Sequence, residues 1–313
     1  MKVTVLAGGV GGARFVRGLR SALEGSGAEI TVVVNTGDDL WLSGVRLQPD
    51  IDSILYALAG VNDTERGWGR AGESERVSAE LREWGAGWPW FTLGDLDLGT
   101  HLARTGWLRE GLSYTQVAER LGARWPIGVR LLPMTDTEVD TRVLVEDGAL
   151  LHFQEWWTRH RASLRALAFE NPGIAEAVPA PGVVEAITGA DVVIVAPSNP
   201  VVSIGPILAV PGIREALAQA TRVVGISPII GGKVVRGMAD ACLTAIGVAT
   251  SADAVARHYG RRADGGVLDT WLIAQEDAAL AGQLAAEGWD VRVEPLWMTD
   301  QEKSAALAHA ALA

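Results

Sequence analysis

Short apolar runs, each followed by a polar loop and then an amphipathic stretch, recur along this chain and limit what it can fold into. Val3 to Ala7 reads as a strand, Gly8 to Gly12 as a loop, and Ala13 to Leu23 as a helix with Phe15, Leu19 and Leu23 on one face. Ile30 to Val34 is the next strand and Asn35 to Asp39 the next loop. Ile51 to Leu58 then places Ile51, Ile54, Leu55 and Leu58 inward at helical spacing. The order resumes with strands at Asp191 to Val195 and Arg222 to Ile226, the first leading through Ala196–Leu208 into a helix at Ile213–Leu217. Strand–loop–helix alternation predicts a parallel sheet with helices on both faces. The expected fold is α/β, a Rossmann-like, doubly wound, mostly parallel sheet forming one domain over residues 1–313. Ligands of such sheets bind in the loops that leave the strand ends.

The middle of the chain is less regular. Glu65 to Glu75 is polar and glycine-rich around Trp68. Val77 to Trp84 reads as a helix and Trp90 to Leu93 as a short strand. Ser113 and Gln116 match a capping box for a helix at Val117 to Leu121. Residues from about 137 to 181 hold two strand-like pieces, Arg142–Val145 and Leu150–Phe153, and a basic stretch. This segment reads as a smaller inserted subdomain.

Charge and cysteine usage exclude several functions. The formal net charge is -11, so a broad nucleic-acid surface is not expected. Phosphates remain possible ligands where a metal or local cations offset the charge. The single cysteine, Cys242, rules out an internal disulfide and a multi-cysteine zinc site. It reads as a small buried helix residue. No secretory signal pattern precedes the first strand, and no apolar run reaches the ~18 residues that span a bilayer. A cytoplasmic protein with no membrane partner is expected.

Seven segments carry candidate chemistry. Gly8–Arg14 follows the first strand; Gly9, Gly11 and Gly12 would let backbone approach a phosphate at a helix N-terminus, or simply make a tight turn. The dinucleotide fingerprint fails at Arg14, where glycine is required, and this counts against a nicotinamide dehydrogenase. Asp38, Asp39, Asp50 and Asp52 place carboxylates near the sheet edge, suited to magnesium and substrate phosphates, although Asp50 and Asp52 also favour a helix start. Leu93–His101 adds Asp95, Asp97, Thr100 and His101. Ser198, Asn199 and Ser203 punctuate the proline-rich loop after the Asp191 strand. Ser227–Lys233 lacks the P-loop glycine at Ser227 and the hydroxyl at Val234, yet Lys233 could neutralise a phosphate. Trp156 and Trp157, within Phe153–Arg161, could stack on a flat ring or fill the subdomain core.

The segments VTVLAGGVGGARF, NTGDD, PDIDS, LGDLDLGTH, LLPMTD, HFQEWW, APSNPVVSIGPILAVPGIR and SPIIGGK run in one order over nearly the whole chain. In them the chain resembles the 2-phospho-L-lactate transferase family of coenzyme F-420 biosynthesis, especially its actinobacterial phosphoenolpyruvate transferase branch. The resemblance implies an enzyme that moves an enolpyruvyl or lactyl phosphate from a guanosine diphospho-linked donor to the deazaflavin Fo, releasing GMP. It implies magnesium and a homodimer. It makes Asp38 and Asp52, with Asp39 or Asp50, the metal ligands, and Asp38, Asp52, Asp95 and His101 the catalytic set. It assigns Gly9, Gly11, Gly12, Ser198, Asn199, Ser203 and Lys233 to the nucleotide and its phosphates, and Thr100 and Trp156 to the neighbourhood of Fo. Leu96 stands where the family commonly has a basic residue, and Gly99 where alanine is common. The alternative reading is a nucleotide-sugar-binding regulator of the gluconeogenesis-factor type.

Overall fold

The computed structural model describes residues 1–313. The first half contains β1 (Lys2–Ala7), α1 (Gly9–Ala22), β2 (Glu29–Val34), β3 (Leu40–Leu42), β4 (Val45–Leu47), α2 (Pro49–Ala59), α3 (Arg76–Glu83), α4 (Asp95–Arg109), α5 (Tyr114–Gly122) and β5 (Arg130–Pro133). An antiparallel group follows, with β6 (Arg142–Val145), β7 (Leu150–His152) and β8 (Ala166–Glu170). The second half contains α6 (Val183–Thr188), β9 (Val192–Val195), α7 (Gly205–Ala209), α8 (Ile213–Gln219), β10 (Val223–Ile226), β11 (Ile229–Ile230) and β12 (Lys233–Val234). It closes with α9 (Ala239–Ala245), α10 (Ala252–Tyr259), β13 (Thr270–Ala274), α11 (Ala281–Ala286), β14 (Asp290–Glu294) and α12 (Gln301–Leu312).

Seven strands make one parallel sheet in the order β14-β13-β10-β9-β1-β2-β5. The inner strands β13, β10, β9 and β1 are buried because helices cover both faces, which is why they read as nearly unbroken apolar runs, whereas the edge strand β14 has no buried residue. Val5, Val32, Ile194 and Phe15 belong to one core, and Leu6, Val33, Val193 and Trp271 to the other. The strand order reverses between β1 and β9, and a crevice opens there above the carboxyl ends of both strands.

Glycine is required where α1 meets the loop after β9. A Cβ on Gly11 would lie 2.6 Å from the Pro197 carbonyl oxygen, and one on Gly12 would lie 2.8 Å from Ser198 Oγ. Ser198 Oγ fixes the turn from the other side, accepting from the Gly8 amide at 3.1 Å and donating to the Gly8 carbonyl at 2.7 Å. The expected glycine loop at Gly8–Gly12 is therefore the first turn of α1, with Gly8 as its N-cap.

The strand expected at Trp90–Leu93 is absent; these residues form turns and coil. Stacking of Trp88 on Trp90 at 4.6 Å and edge contacts to Phe91 organise the segment instead. The Ser113 capping box is formed, with Gln116 bonding back to the Ser113 amide. Within residues 137–181 the three antiparallel strands pack around Val143, Val145, Phe153 and Trp156. No single helix is long and apolar enough to cross a membrane.

Candidate functional site

A cavity of about 670 Å³ fills the crevice at the switch point. Its floor is Gly8, Gly9 and Gly11 from the β1–α1 turn and Ser198, Asn199 and Ser203 from the loop after β9. Asp38, Asp50, Asp52, Asp97 and His101 make one wall. Trp68, Trp90, Trp157 and Trp297 reach the cavity from four separate segments, with apolar faces for a flat ring.

Asn35, at the end of β2, organises the acidic wall. Its side-chain oxygen accepts from the Gly37 amide at 2.9 Å and so turns the loop. Its amide nitrogen donates to Asp50 Oδ2 at 2.9 Å, Asp38 Oδ1 at 3.3 Å and the Val202 carbonyl at 3.2 Å. Asp38 and Asp50 are buried, and no cationic side chain contributes to the balance of either. Burial raises the Asp38 carboxyl well above its ordinary range, and the Asp50 charge raises it further. Burial lifts Asp50 to about 6 against the help of Asn35. Two buried carboxylates sharing one neutral donor form a site with too little positive charge, and a divalent cation with oxygen preference fits that deficit.

Asp52 lies one helical half-turn further on and has a different partner. Arg104 of α4, fully buried, donates to Asp52 Oδ1. Burial raises the Asp52 carboxyl, and Arg104 and His101 oppose that rise. Asp52 Oδ2 remains buried without a hydrogen bond. Asp97 and His101, four residues apart on α4, face the same space, and Tyr56 donates to Asp97 Oδ1 at 2.7 Å. One ligand atom from each of Asp52, Asp97 and His101 lies within 4.8 Å of the others.

Positive charge enters from two arginines. Arg14 and Arg236 line the cavity. Partial burial and the neighbouring Arg236 and Arg17 lower the pKa of Arg14. A cation held among cations stands ready for an anionic ligand. The side chain that spoils the dinucleotide fingerprint is thus a cavity cation.

Several expected site residues fall elsewhere. Asp95 is exposed and ties the α4 N-terminus to the Ser74 amide and hydroxyl; Asp97, in helical register with His101, faces the cavity in its place. Thr100 is buried in α4 and does not line the cavity. Gly12 is enclosed between Ala7 and Ser198. Asp39 turns away to Gln48 and Arg46, where burial lifts it to about 8. Trp156 is fully buried in a cluster with Val143, Phe153, Val202 and Cys242 and donates to the Leu164 carbonyl; Trp157 lines the cavity instead. Lys233 is exposed, since Ser227–Lys233 does not open a helix. It makes the β11–β12 hairpin, whose Gly231 and Gly232 have φ of 58° and 71°, as a two-residue mirror-image turn requires. Asn199 lines the cavity, but its oxygen caps the following turn at the Val201 and Val202 amides.

A family model described as 2-phospho-L-lactate transferase CofD matches residues 3–309. A phosphoenolpyruvate transferase of Thermobifida fusca is 52% identical over 100% of this chain and 97% of its own length. One from Nocardia farcinica is 49% identical over 99% and 94%. A solved structure of a UPF0052-family protein from Bacillus halodurans superposes with a TM-score of 0.64 over 100% of both chains at 21% identity, a likeness of fold.

Proposed function

The chain belongs to the 2-phospho-L-lactate transferase family, and from that premise we propose that it is the phosphoenolpyruvate transferase of coenzyme F-420 biosynthesis. The donor is an enolpyruvyl unit joined to guanosine through a diphosphate. The acceptor is the terminal ribityl hydroxyl of Fo. The hydroxyl oxygen bonds to the distal phosphorus, the bridging P–O bond breaks, GMP leaves, and dehydro-F-420-0 is formed. The observation that carries this reading is the acidic wall of Asp38 and Asp50 facing Arg14 and Arg236 across one cavity. Such a site offers a metal–diphosphate complex charge of both signs.

Transfer of this kind rests on positioning and on neutralising phosphoryl oxygens. The β1–α1 turn brings backbone close, with Gly9 at φ 61°, where a side chain would be strained. Arg14 and Arg236 balance phosphate charge. Asp38 and Asp50 are the residues that would hold magnesium, which supplies charge neutralisation at the diphosphate. Trp68, Trp90, Trp157 and Trp297 offer faces to the deazaflavin ring. Leu96 is exposed on the solvent side of α4, so the cavity's cations are Arg14 and Arg236 rather than a basic residue at that position. The nucleotide-sugar regulator reading has no observation in its favour. A homodimer goes with the family reading, and light scattering on the purified chain checks it.

The test is an end-point assay by mass spectrometry. Protein is mixed with Fo and enolpyruvyl-diphospho-guanosine, in magnesium or in EDTA. Magnesium-dependent GMP and dehydro-F-420-0 are expected. Product from the lactyl donor alone would move the assignment to the lactate branch. No product from either donor, with folded protein, would overturn the reading.

A further inference from the structure

Arg104 is a fully buried cation on α4 that touches no solvent. Its guanidinium joins three elements. It donates to Asp52 of α2, to the Arg46 carbonyl of β4 at 3.2 Å, and lies 2.9 Å from His101 Nδ1, one turn earlier on its own helix. Thr105 extends the same seam, receiving the Arg46 amide at 2.8 Å and donating to the His101 carbonyl at 2.7 Å. His101 and Asp52 line the cavity, while Arg104 stands behind them.

A guanidinium carries only donors. The His101 nitrogen that meets it at 2.9 Å therefore accepts, and the ring hydrogen sits on Nε2. The competing arrangement, with Nδ1–H directed at Asp52, is unsupported, because Nδ1 to Asp52 Oδ2 is 3.6 Å, too long for a hydrogen bond. Nε2 instead faces Asp97 Oδ1 at 3.3 Å.

We infer that Arg104 is a positioning residue that fixes His101 as the Nε2–H tautomer and aligns it with Asp52 and Asp97 against the cavity. Two consequences follow from the chemistry. His101 directs its Nε2–H toward Asp97 within the buried wall, so it acts neither as the base that takes the acceptor's proton nor as a metal ligand through Nε2. The Asp52–Asp97–His101 cluster is then a preorganised polar wall, and the metal-holding role stays with Asp38 and Asp50. Arginine is specifically required, because its planar fork reaches Asp52, Arg46 and His101 together, whereas a lysine ammonium is a single point charge.

This inference rests on the transferase reading for its kinetic arm alone. The tautomer is read directly from the full-length protein labelled with ¹⁵N-histidine. Long-range ¹H–¹⁵N correlation gives Nδ1 and Nε2 of each ring, and His101→Gln, which deletes one ring, assigns His101. The wild type should show an Nε2–H ring. Arg104→Lys and Arg104→Met should shift His101 toward a tautomer mixture. In the transfer assay both variants should lose about tenfold or more in kcat with little change in the KM for Fo, and lysine should not rescue. His101→Gln, which keeps a donor near Nε2, should retain more activity than His101→Asn. An Nδ1–H ring or an imidazolium in the wild type would overturn the inference. So would an unchanged His101 spectrum in Arg104→Lys, or a kcat equal to wild type in that variant once its folded fraction is matched by circular dichroism. Failure of the wild type to transfer would refute the transferase reading and leave the tautomer result standing.

Discussion

Replacing Asp50 by asparagine should make the metal-free protein more stable while removing its response to magnesium. Asp50 is buried and paired with the like-charged Asp38, and its carboxyl is lifted from 3.8 to about 6. Ionising it at neutral pH therefore costs ~3 kcal/mol of folding stability, at ~1.4 kcal/mol per tenfold change in proton affinity. The sign follows from the raised value. Below pH ~4 the carboxyl is protonated in both folded and unfolded chains and there is no penalty. The penalty grows as pH rises through the interval from 3.8 to about 6 and is complete above it. Asparagine keeps an oxygen for the Asn35 amide, so the 2.9 Å bond has an equivalent. The variant in EDTA at pH 7 should gain about 2–3 kcal/mol, or about 3–5 °C in melting temperature for a chain of this length. The gap should vanish near pH 4. Magnesium should raise the wild-type midpoint by mass action, by ~2.7 kcal/mol at a hundred times Kd, and move the variant little. Differential scanning fluorimetry in EDTA and in magnesium, at pH 4 and pH 7, reads all four cases. A variant that melts below wild type in EDTA at pH 7, or a gap independent of pH, would refute the reasoning.

The neighbouring tryptophans should separate by role. Trp156→Ala empties a core position and should cost about 3–5 kcal/mol by urea denaturation, whereas Trp157→Ala should leave stability nearly unchanged and weaken Fo binding measured by fluorescence. The two basic residues of the β11–β12 region should also divide: Lys233→Ala should keep kcat/KM within about twofold, and Arg236→Ala should raise the KM for the guanosine donor at least tenfold, an exposed side chain against a cavity cation. Gly11→Ala should destabilise the protein by about 1–3 kcal/mol through its clash with the Pro197 carbonyl, seen as a lower urea midpoint. The Cys242 thiol, pushed up to about 12 by burial, should resist iodoacetamide at pH 7.5 until the chain is unfolded; prompt alkylation of native protein would contradict that environment.

Sequence periodicity reached the sheet because parallel strands covered on both faces have no alternating pattern to blur. Ile51, Ile54, Leu55 and Leu58 are all buried as their spacing requires. The acidic loops were legible for a similar reason: Asp38, Asp50 and Asp52 sit beside strand ends that apolar runs locate. What stayed hidden depends on direction rather than on identity. Asp95 and Asp97 are two residues apart, and only the register of α4 with His101 decides which one faces inward. Trp156 and Trp157 are adjacent, and the wide π-helical turn over Glu155–Arg159 sends one to the core and the other to the cavity. Arg104 and Arg236 carry no motif and Arg14 reads only as a mismatch to the dinucleotide fingerprint, since an arginine reads as solvated surface until the fold encloses it. Lys233 was misplaced because Gly-Gly before lysine serves a hairpin as well as a phosphate turn.

The central position of β1 sets a timetable for biosynthesis. On one side it pairs with β2, made soon afterwards; on the other it pairs with β9, with Val3 beside Val192. At about 5–20 residues per second, a ribosome needs roughly 10–40 s to reach that partner. For that interval the inner edge of the β1–β2 pair presents unbonded amides and carbonyls and a row of valines. The last helix closes the circuit, since α12 lies along α1 so tightly that a Cβ on Gly18 would come within 2.5 Å of Ser304. The nascent chain must therefore hold an open, sticky edge through about half of its own translation, and holding chaperones should matter more to its yield than to its final stability.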